Sequence, residues 1–239
     1  MTTRSILITG ASKGIGRALA IRLASKGFDI IGFARRADPN FPGELIPVDL
    51  ADPVATAAVL GELVARRPIH GVVNNVGLVR PQLLGEVDIA DLAAVLDLNL
   101  RPALQTVQAT LPGMRAAGSG RIVNISSLTV LGAVQRTSYA AAKAALVSFT
   151  RSWALELATA GITVNAVAPG PTETELFRAN NPPGSAGEAR YLAAVPMARF
   201  ARPDEIAAAI DFLVSDDASF ITGQTLFVDG GASIGKASI

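Results

Sequence analysis

Seven short runs rich in β-branched residues alternate with longer alanine-rich stretches along the chain. No other feature limits its possible folds as strongly. The runs read as strands near Ser5–Thr9, Ile30–Ala34, Leu45–Val48, Ile69–Asn74, Arg121–Ser126, Ile162–Ala168 and Thr225–Val228. Helices are expected near Ile15–Lys26, Pro53–Arg66, Ile89–Ala116, Ser138–Thr159 and Pro203–Ser215. Strands that are apolar on both faces and separated by helices indicate a parallel sheet covered on both sides. The predicted fold class is therefore α/β, a doubly wound parallel sheet in a three-layer α/β/α arrangement with about seven strands. No repeat and no break in composition marks a second domain, so residues 1–239 read as one.

Composition then excludes several functions. Half of the residues are hydrophobic and 17% are charged, which suits a packed core and not a disordered chain. The absence of cysteine removes disulfides, thiolate metal sites and cysteine nucleophiles. A single histidine, His70, leaves almost no material for a histidine metal cluster or a Ser-His-Asp triad, so no metal is expected and His70 reads as structural. The formal charge of +1, with no Lys/Arg run, argues against a nucleic-acid partner. No apolar stretch reaches the ~20 residues of a membrane span. Lys13 and Arg17 interrupt the apolar run that follows Arg4, so no signal peptide is read and a cytoplasmic location is expected.

Local signals support the element boundaries. Gly27 after Lys26 reads as a helix stop, and Asp52-Pro53 as an N-cap followed by proline at the first helical position. The stretch Arg178–Arg190, centred on Asn180-Asn181-Pro182-Pro183-Gly184, carries the least regular pattern. It reads as a mobile lid over a site, with a plain surface connector as the alternative.

Two segments carry the chemistry. Thr9-Gly10-Ala11-Ser12-Lys13-Gly14-Ile15-Gly16 joins the first strand to the first helix. Its glycines let a pyrophosphate approach main-chain N–H groups at a helix N-terminus. The spacing is G-x-x-x-G-x-G and not the commoner G-x-G-x-x-G, and tight βα turns use glycine in any case. The second strand ends in Ala34-Arg35-Arg36 with no acid at that end, and Lys13 lies in the turn. An acid there would bind a free ribose 2′-hydroxyl, whereas cations favour a 2′-phosphate, so NADP(H) is expected over NAD(H). Two solvated surface arginines are the alternative.

Tyr139 and Lys143 lie four residues apart and so share a helical face. A tyrosine begins near a pKa of ~10. A neighbouring ammonium would lower it and make the phenol a usable acid/base group, although the pair could equally be packing and solvation. Ser126-Ser127 closes the fifth strand, at the end where such sheets place ligands. Successive strand residues point to opposite faces, so one of the two serines is expected to face the tyrosine.

Taken together, these pieces resemble the short-chain dehydrogenase/reductases of the compact, single-domain kind, over essentially the whole chain. The resemblance rests on Thr9–Gly16, Asp49, Asn74-Asn75-Val76-Gly77, Asn99, Asn124–Ser127, Tyr139 with Lys143, Pro169-Gly170, Gly223-Gln224-Thr225 and Val228-Asp229-Gly230-Gly231. It implies one NAD(P)-binding Rossmann domain with a substrate lid near residues 172–200. Tyr139 would be general acid in reduction and base in oxidation. Lys143 would lower the tyrosine's pKa and hold the nicotinamide ribose, Ser127 would polarise the carbonyl, and Asn99 would position a water for proton relay. Asp49, with Leu50 beside it, would contact adenine, and Asn74 would lie under the cofactor with Gly77 nearby. Thr172 and Thr174, after Pro169 and Gly170, would touch the nicotinamide amide or phosphates. Gly10, Ser12, Lys13, Gly14, Ile15, Gly16 and Arg35 complete the implied cofactor set.

The chain departs from the family pattern in places. Val76 replaces the commoner alanine, and Ser127 lies one residue nearer Tyr139 than usual, a spacing that Ser126 would restore. Ser127 is preferred because matching forward from Gly120-Arg121-Ile122 lands on it. Among such enzymes, reductases of 3-oxoacyl carrier proteins usually carry an arginine where Ala160 precedes Gly161-Ile162-Thr163-Val164-Asn165. A small free carbonyl or alcohol substrate is therefore expected, with weak turnover of carrier-linked ones. The expected activity is reversible NADP(H)-dependent reduction of a ketone to a secondary alcohol. A 3-oxoacyl-carrier-protein reductase or an NAD-dependent alcohol or sugar dehydrogenase is the nearest alternative, and a non-catalytic dinucleotide sensor the alternative of another class. The helix from Tyr139 to Leu157 is apolar over most of its circumference, so a homodimer or homotetramer is expected.

Overall fold

The chain begins β1 (Ser5–Thr9), α1 (Gly14–Ser25), β2 (Asp29–Ala34), β3 (Glu44–Pro47), α2 (Pro53–Arg66), β4 (Gly71–Asn74) and α3 (Ile89–Ala117). It continues β5 (Gly120–Ile125), α4 (Thr137–Leu157), β6 (Ile162–Pro169), α5 (Glu175–Asn180), α6 (Ala186–Ala194), α7 (Pro203–Val214) and β7 (Thr225–Val228). This is a computed structural model, and it describes residues 4–235. The strands form one sheet in the order β3-β2-β1-β4-β5-β6-β7, parallel at every pairing. The α/β class and the doubly wound sheet expected from the alternation are present.

Side-chain alternation along each strand sorts the core into two halves. Ile6 and Ile8 of β1 pack on one face with Leu19 and Leu23 of α1 and with Ile206 and Ile210 of α7. Leu7, from the same strand, points the other way and joins Leu60, Leu63, Val107 and Leu157 of α2, α3 and α4. Each fully buried side chain of this kind contributes about 1.5–3 kcal/mol. The α1–α7 layer is also tied by charge. Buried Asp211 accepts hydrogen bonds from Arg22 at 2.7 Å and Lys26 at 2.5 Å.

Helix ends follow the local chemistry. The Asp52 carboxylate accepts from the backbone N–H of Val54 and Ala55, at 2.8 and 3.0 Å, with Pro53 in the first turn. Asp88 caps α3 in the same way. Gly118 ends α3 at φ 61°, a backbone that favours glycine. His70 lies before β4 and accepts a hydrogen bond from the Ser5 N–H at 3.0 Å, which fastens β4 to β1.

One stretch differs from its sequence pattern. Arg178–Arg190, expected to be the least regular, contains the end of α5 and part of α6, with a break only around Pro182-Pro183-Gly184. The Ser185 hydroxyl accepts from the Glu188 N–H at 3.2 Å and starts the second helix. These helices have 6 and 9 residues, too short to show an apolar period.

Candidate active site

The strand order reverses between β1 and β4, and a crevice opens there at the carboxyl ends of the strands. The glycine turn after β1 forms its floor. Gly10 and Gly14 have φ of 65° and 52°, and a Cβ on Gly16 would stand 2.4 Å from the Gly10 carbonyl oxygen. Only glycine therefore lets α1 start so close to the strand. Asn75, just after β4, secures this turn. Its Nδ2 donates to the carbonyls of Thr9 and Gly10 at 3.0 and 3.1 Å, while the Thr9 hydroxyl accepts from the N–H groups of Asn75 and Val76.

The crevice is a cleft of about 840 Å³, within the range of small-ligand and cofactor sites. At one end stand Gly10, Ser12, Lys13, Gly14 and Ile15 of the turn, with Arg35, Asp49 and Leu50 beside them. Lys13 and Arg35 are exposed, and neither is paired with a carboxylate among the described residues. Gly77, Ser127, Tyr139 and Lys143 stand at the other end, with Pro169, Gly170, Thr172 and Thr174 along the edge. Thr174 leans over the turn, its Cγ2 3.1 Å from the position of a Cβ on Gly14.

Three residues expected in the site do not face the cleft. Gly16 lies beneath the turn and serves backbone packing. Asn74 is buried and donates to Asn124 Oδ1 at 2.8 Å, and Asn124 donates in turn to Thr150 at 2.9 Å. Asn99 sits behind Gly77. Its Nδ2 donates to the carbonyls of Leu78 and Val95, at 2.9 and 2.7 Å, and its buried Oδ1 has no partner. Conversely, Asn75, which lines the cleft and holds its floor, was visible only as part of the Asn74–Gly77 motif.

The two serines separate clearly. Ser126 is buried, and its hydroxyl donates to the Lys143 carbonyl at 3.0 Å, which ties β5 to α4. Ser127 faces the Tyr139 phenol and favours its ionised form by hydrogen bonding. Lys143 is almost fully buried, donates from Nζ to the Ile125 carbonyl at 2.8 Å and lies 5.6 Å from the centre of the Tyr139 ring.

The electrostatics differ from those expected of a Tyr-Lys pair. Burial pushes the Tyr139 phenol up to about 12, and the opposing pull comes from Ser127 and then Arg136. Burial also pushes the Lys143 ammonium down, to about 7. The lysine is itself desolvated and aimed at a carbonyl, so the downward pull on the phenol comes from elsewhere. Arg136 was not anticipated; the only sequence signal was a cation three residues ahead of the tyrosine.

Among the described residues, no group of three or more His, Asp or Glu side chains could hold a metal ion, and no helix is long and apolar enough to cross a membrane.

Comparison with known proteins agrees with this geometry. A family model described as enoyl-(acyl carrier protein) reductase matches residues 10–233. The chain is 38% identical over 235 residues to the 3-oxoacyl-[acyl-carrier-protein] reductase FabG of Salmonella typhimurium, spanning 94% of this chain and 95% of that one. Among solved structures, a proposed NAD(P)-dependent gluconate 5-dehydrogenase of Beutenbergia cavernae, with NADP bound at low occupancy, superposes with a TM-score of 0.90 at 36% identity, covering 97% of each chain. Levodione reductase superposes with a TM-score of 0.90 at 30% identity, covering 98% of this chain and 99% of that one.

Proposed function

The chain belongs to the short-chain dehydrogenase/reductase family, and from that premise we propose that Ser127, Tyr139, Lys143 and Asn99 interconvert a small ketone and its secondary alcohol, with NADP(H) preferred over NAD(H). Membership makes the protein an NAD(P)-dependent oxidoreductase. Its residues suit a dinucleotide: a Cβ would fill the cradle at Gly10, Gly14 and Gly16, and the unpartnered Asn99 Oδ1 is buried behind the cleft wall at Gly77. When bound, the nicotinamide supplies or accepts the hydride.

The chain's own residues do the rest. The glycine turn and the start of α1 take the pyrophosphate, with Thr172 and Thr174 closing over it. Asp49 and Leu50, beside the glycine turn in the cleft, would hold the adenine. Lys13 and Arg35, neither paired with a carboxylate among the described residues, suit a 2′-phosphate, and this supports NADP(H). The Ser127 hydroxyl donates to the substrate oxygen. The Tyr139 hydroxyl gives that oxygen its proton in reduction. A phenol pushed up to about 12 is protonated at neutral pH, the form that donates a proton in reduction. Lys143 on the cleft wall and Asn99 behind it both approach Gly77 and suit a relay that returns the proton to the tyrosine.

The observation that carries this reading is the convergence of Ser127, Tyr139 and Lys143 on one cleft wall opposite the glycine turn. The test is oxidation of NADPH and NADH across a ketone panel by the wild type and by Tyr139→Phe. Turnover is expected to fall by about 10²–10⁴-fold in the variant, with dinucleotide binding kept. Unchanged turnover would remove the assignment.

Carrier-linked 3-oxoacyl substrates are the second reading, favoured by the likeness to FabG. Ala160 leaves the position before Gly161 without a cation, and this supports weak turnover of such substrates. The segment 172–200 serves as the substrate lid of a single domain, and the proposed location is the cytoplasm. A homodimer or homotetramer is proposed through α4, where Phe149 and Trp153 stack at 5.0 Å and are half-buried. Sedimentation as a monomer at every concentration would refute it.

A further inference from the structure

Arg136 is a buried charge that the proposed mechanism leaves unused. The residue is only 9% exposed. It stands at the N-cap of α4, three residues ahead of Tyr139, and faces the cleft with Thr129, Ala133, Tyr139 and Tyr191. Its guanidinium donates one hydrogen bond, from Nη1 to the Gln135 carbonyl at 3.2 Å. No carboxylate pairs with it among the described residues. Asp91, held by Gln82 Nε2 at 3.0 Å, pairs with Arg80 at 3.5 Å.

A guanidinium has five N–H donors in a planar fork. The stem of the arginine is buried, while the donors that meet no protein acceptor open onto the cleft, where an entering anion can pair with them. The backbone is also bent to hold the arginine there. Gln135 is not glycine, yet its φ is 62°, and its carbonyl accepts from the Gln82 N–H at 3.2 Å. A non-glycine residue kept in the left-handed region beside a site points to a positional demand on its neighbour.

We infer that Arg136 determines substrate class, its fork binding the carboxylate of a short oxo acid while the ketone of the same molecule lies at Ser127 and Tyr139. This rests on the carbonyl-reductase reading and names its substrate. The position of Arg136 one helical turn from Tyr139 places the carboxylate only a few carbons from the ketone. The carboxylate is a spectator: hydride and proton go to the ketone carbon and oxygen, and no bond to the acid group changes. A carrier-linked thioester offers no anion at this position.

The test pairs straight-chain 2-oxo and 3-oxo acids with their methyl esters and follows NADPH oxidation. In the wild type, kcat/KM for at least one acid is expected to exceed that of its ester by about 100-fold. Arg136→Gln should bring that ratio close to one, mainly by raising KM for the acid, and Arg136→Lys should keep part of it. An ester used as well as its acid in every pair overturns the inference, as does a ratio that survives Arg136→Gln. If Arg136→Gln does not fold, the wild-type ratio and Arg136→Lys decide. If the wild type reduces no acid, ester or neutral ketone, the carbonyl-reductase reading fails instead. Thermal shift with NADP⁺ then judges the arginine: stabilisation of the wild type by the acids, lost in Arg136→Lys or Arg136→Gln, supports it, and no stabilisation overturns it.

Discussion

Asn99 and Lys143 meet across Gly77: a Cβ on that glycine would stand 3.0 Å from Asn99 Oδ1 and 3.4 Å from Lys143 Nζ. The two polar groups come from α3 and α4, and both approach the space that a side chain on Gly77 would fill. Gly77→Ala should therefore displace one of them. We expect kcat to fall by about 10²-fold from misplacement of the relay. Overpacking should lower stability by about 1–3 kcal/mol. Steady-state kinetics beside urea denaturation separates the two effects, and full activity in a folded variant would count against the relay.

Lys143 makes stability depend on pH in a defined direction. Its ammonium is pushed down from 10.5 to about 7 by burial. Between those values the unfolded chain holds a proton that the folded chain has released, so this lysine's contribution to stability rises with pH across that window. Below it the folded state carries the full penalty. Tyr139 acts the other way: raised from 10.0 to about 12, its contribution is complete below pH 10 and lost as pH climbs through 12. The expected result is that wild type gains on Lys143→Met by a few kcal/mol from about pH 7 to about pH 10, measured by urea denaturation without added dinucleotide. A pH-independent difference would contradict it.

Arg35 is the residue proposed to separate the two dinucleotides. Arg35→Asp places a carboxylate where it can accept from a ribose 2′-hydroxyl and repel a 2′-phosphate. KM for NADPH should rise by about 10- to 100-fold while KM for NADH falls. Parallel titrations with both coenzymes check the outcome, and unchanged values for both would place the 2′-phosphate elsewhere.

Arg178 ties the two short helices of the proposed lid together, pairing with Glu173 before α5 and with Glu188 in α6. Arg178→Ala should loosen that link. Limited proteolysis near Pro182-Pro183-Gly184 should become faster and KM for the ketone should rise several-fold. Equal cleavage rates would show that the pair does not hold the lid.

The sheet was legible in the sequence because its strands are buried on both faces. Ser5–Thr9 reads as an apolar run for the same reason that every residue of β1 is buried. The entry to β4 was less clear. Ile69 is buried like a strand residue, and His70 already bonds its backbone to Ser5 and Arg121, but the regular strand starts at Gly71 because the Ser5 N–H turns to the His70 ring nitrogen. The lid was misread as irregular because its helices are too short to display a period, and the Asn-Asn-Pro-Pro-Gly signal dominates the window. At the site, residue identity showed where Tyr139 and Lys143 lie but not how they are charged. That depends on Ile125 offering its carbonyl to Lys143 and on Arg136 turning inward, and both are products of tertiary packing.

The clasp that Asn75 places on the glycine turn bears on how the energy of coenzyme capture is divided. Because side-chain hydrogen bonds from the adjoining strand end already fix the loop, the phosphates arrive at amides that need no rearrangement. Whatever conformational freedom is surrendered on coenzyme capture must then come from the other side of the crevice, where α5 and α6 form the proposed lid. Asn75→Ala would move part of that ordering cost back onto the turn, slowing coenzyme association without altering a single group that touches the ketone.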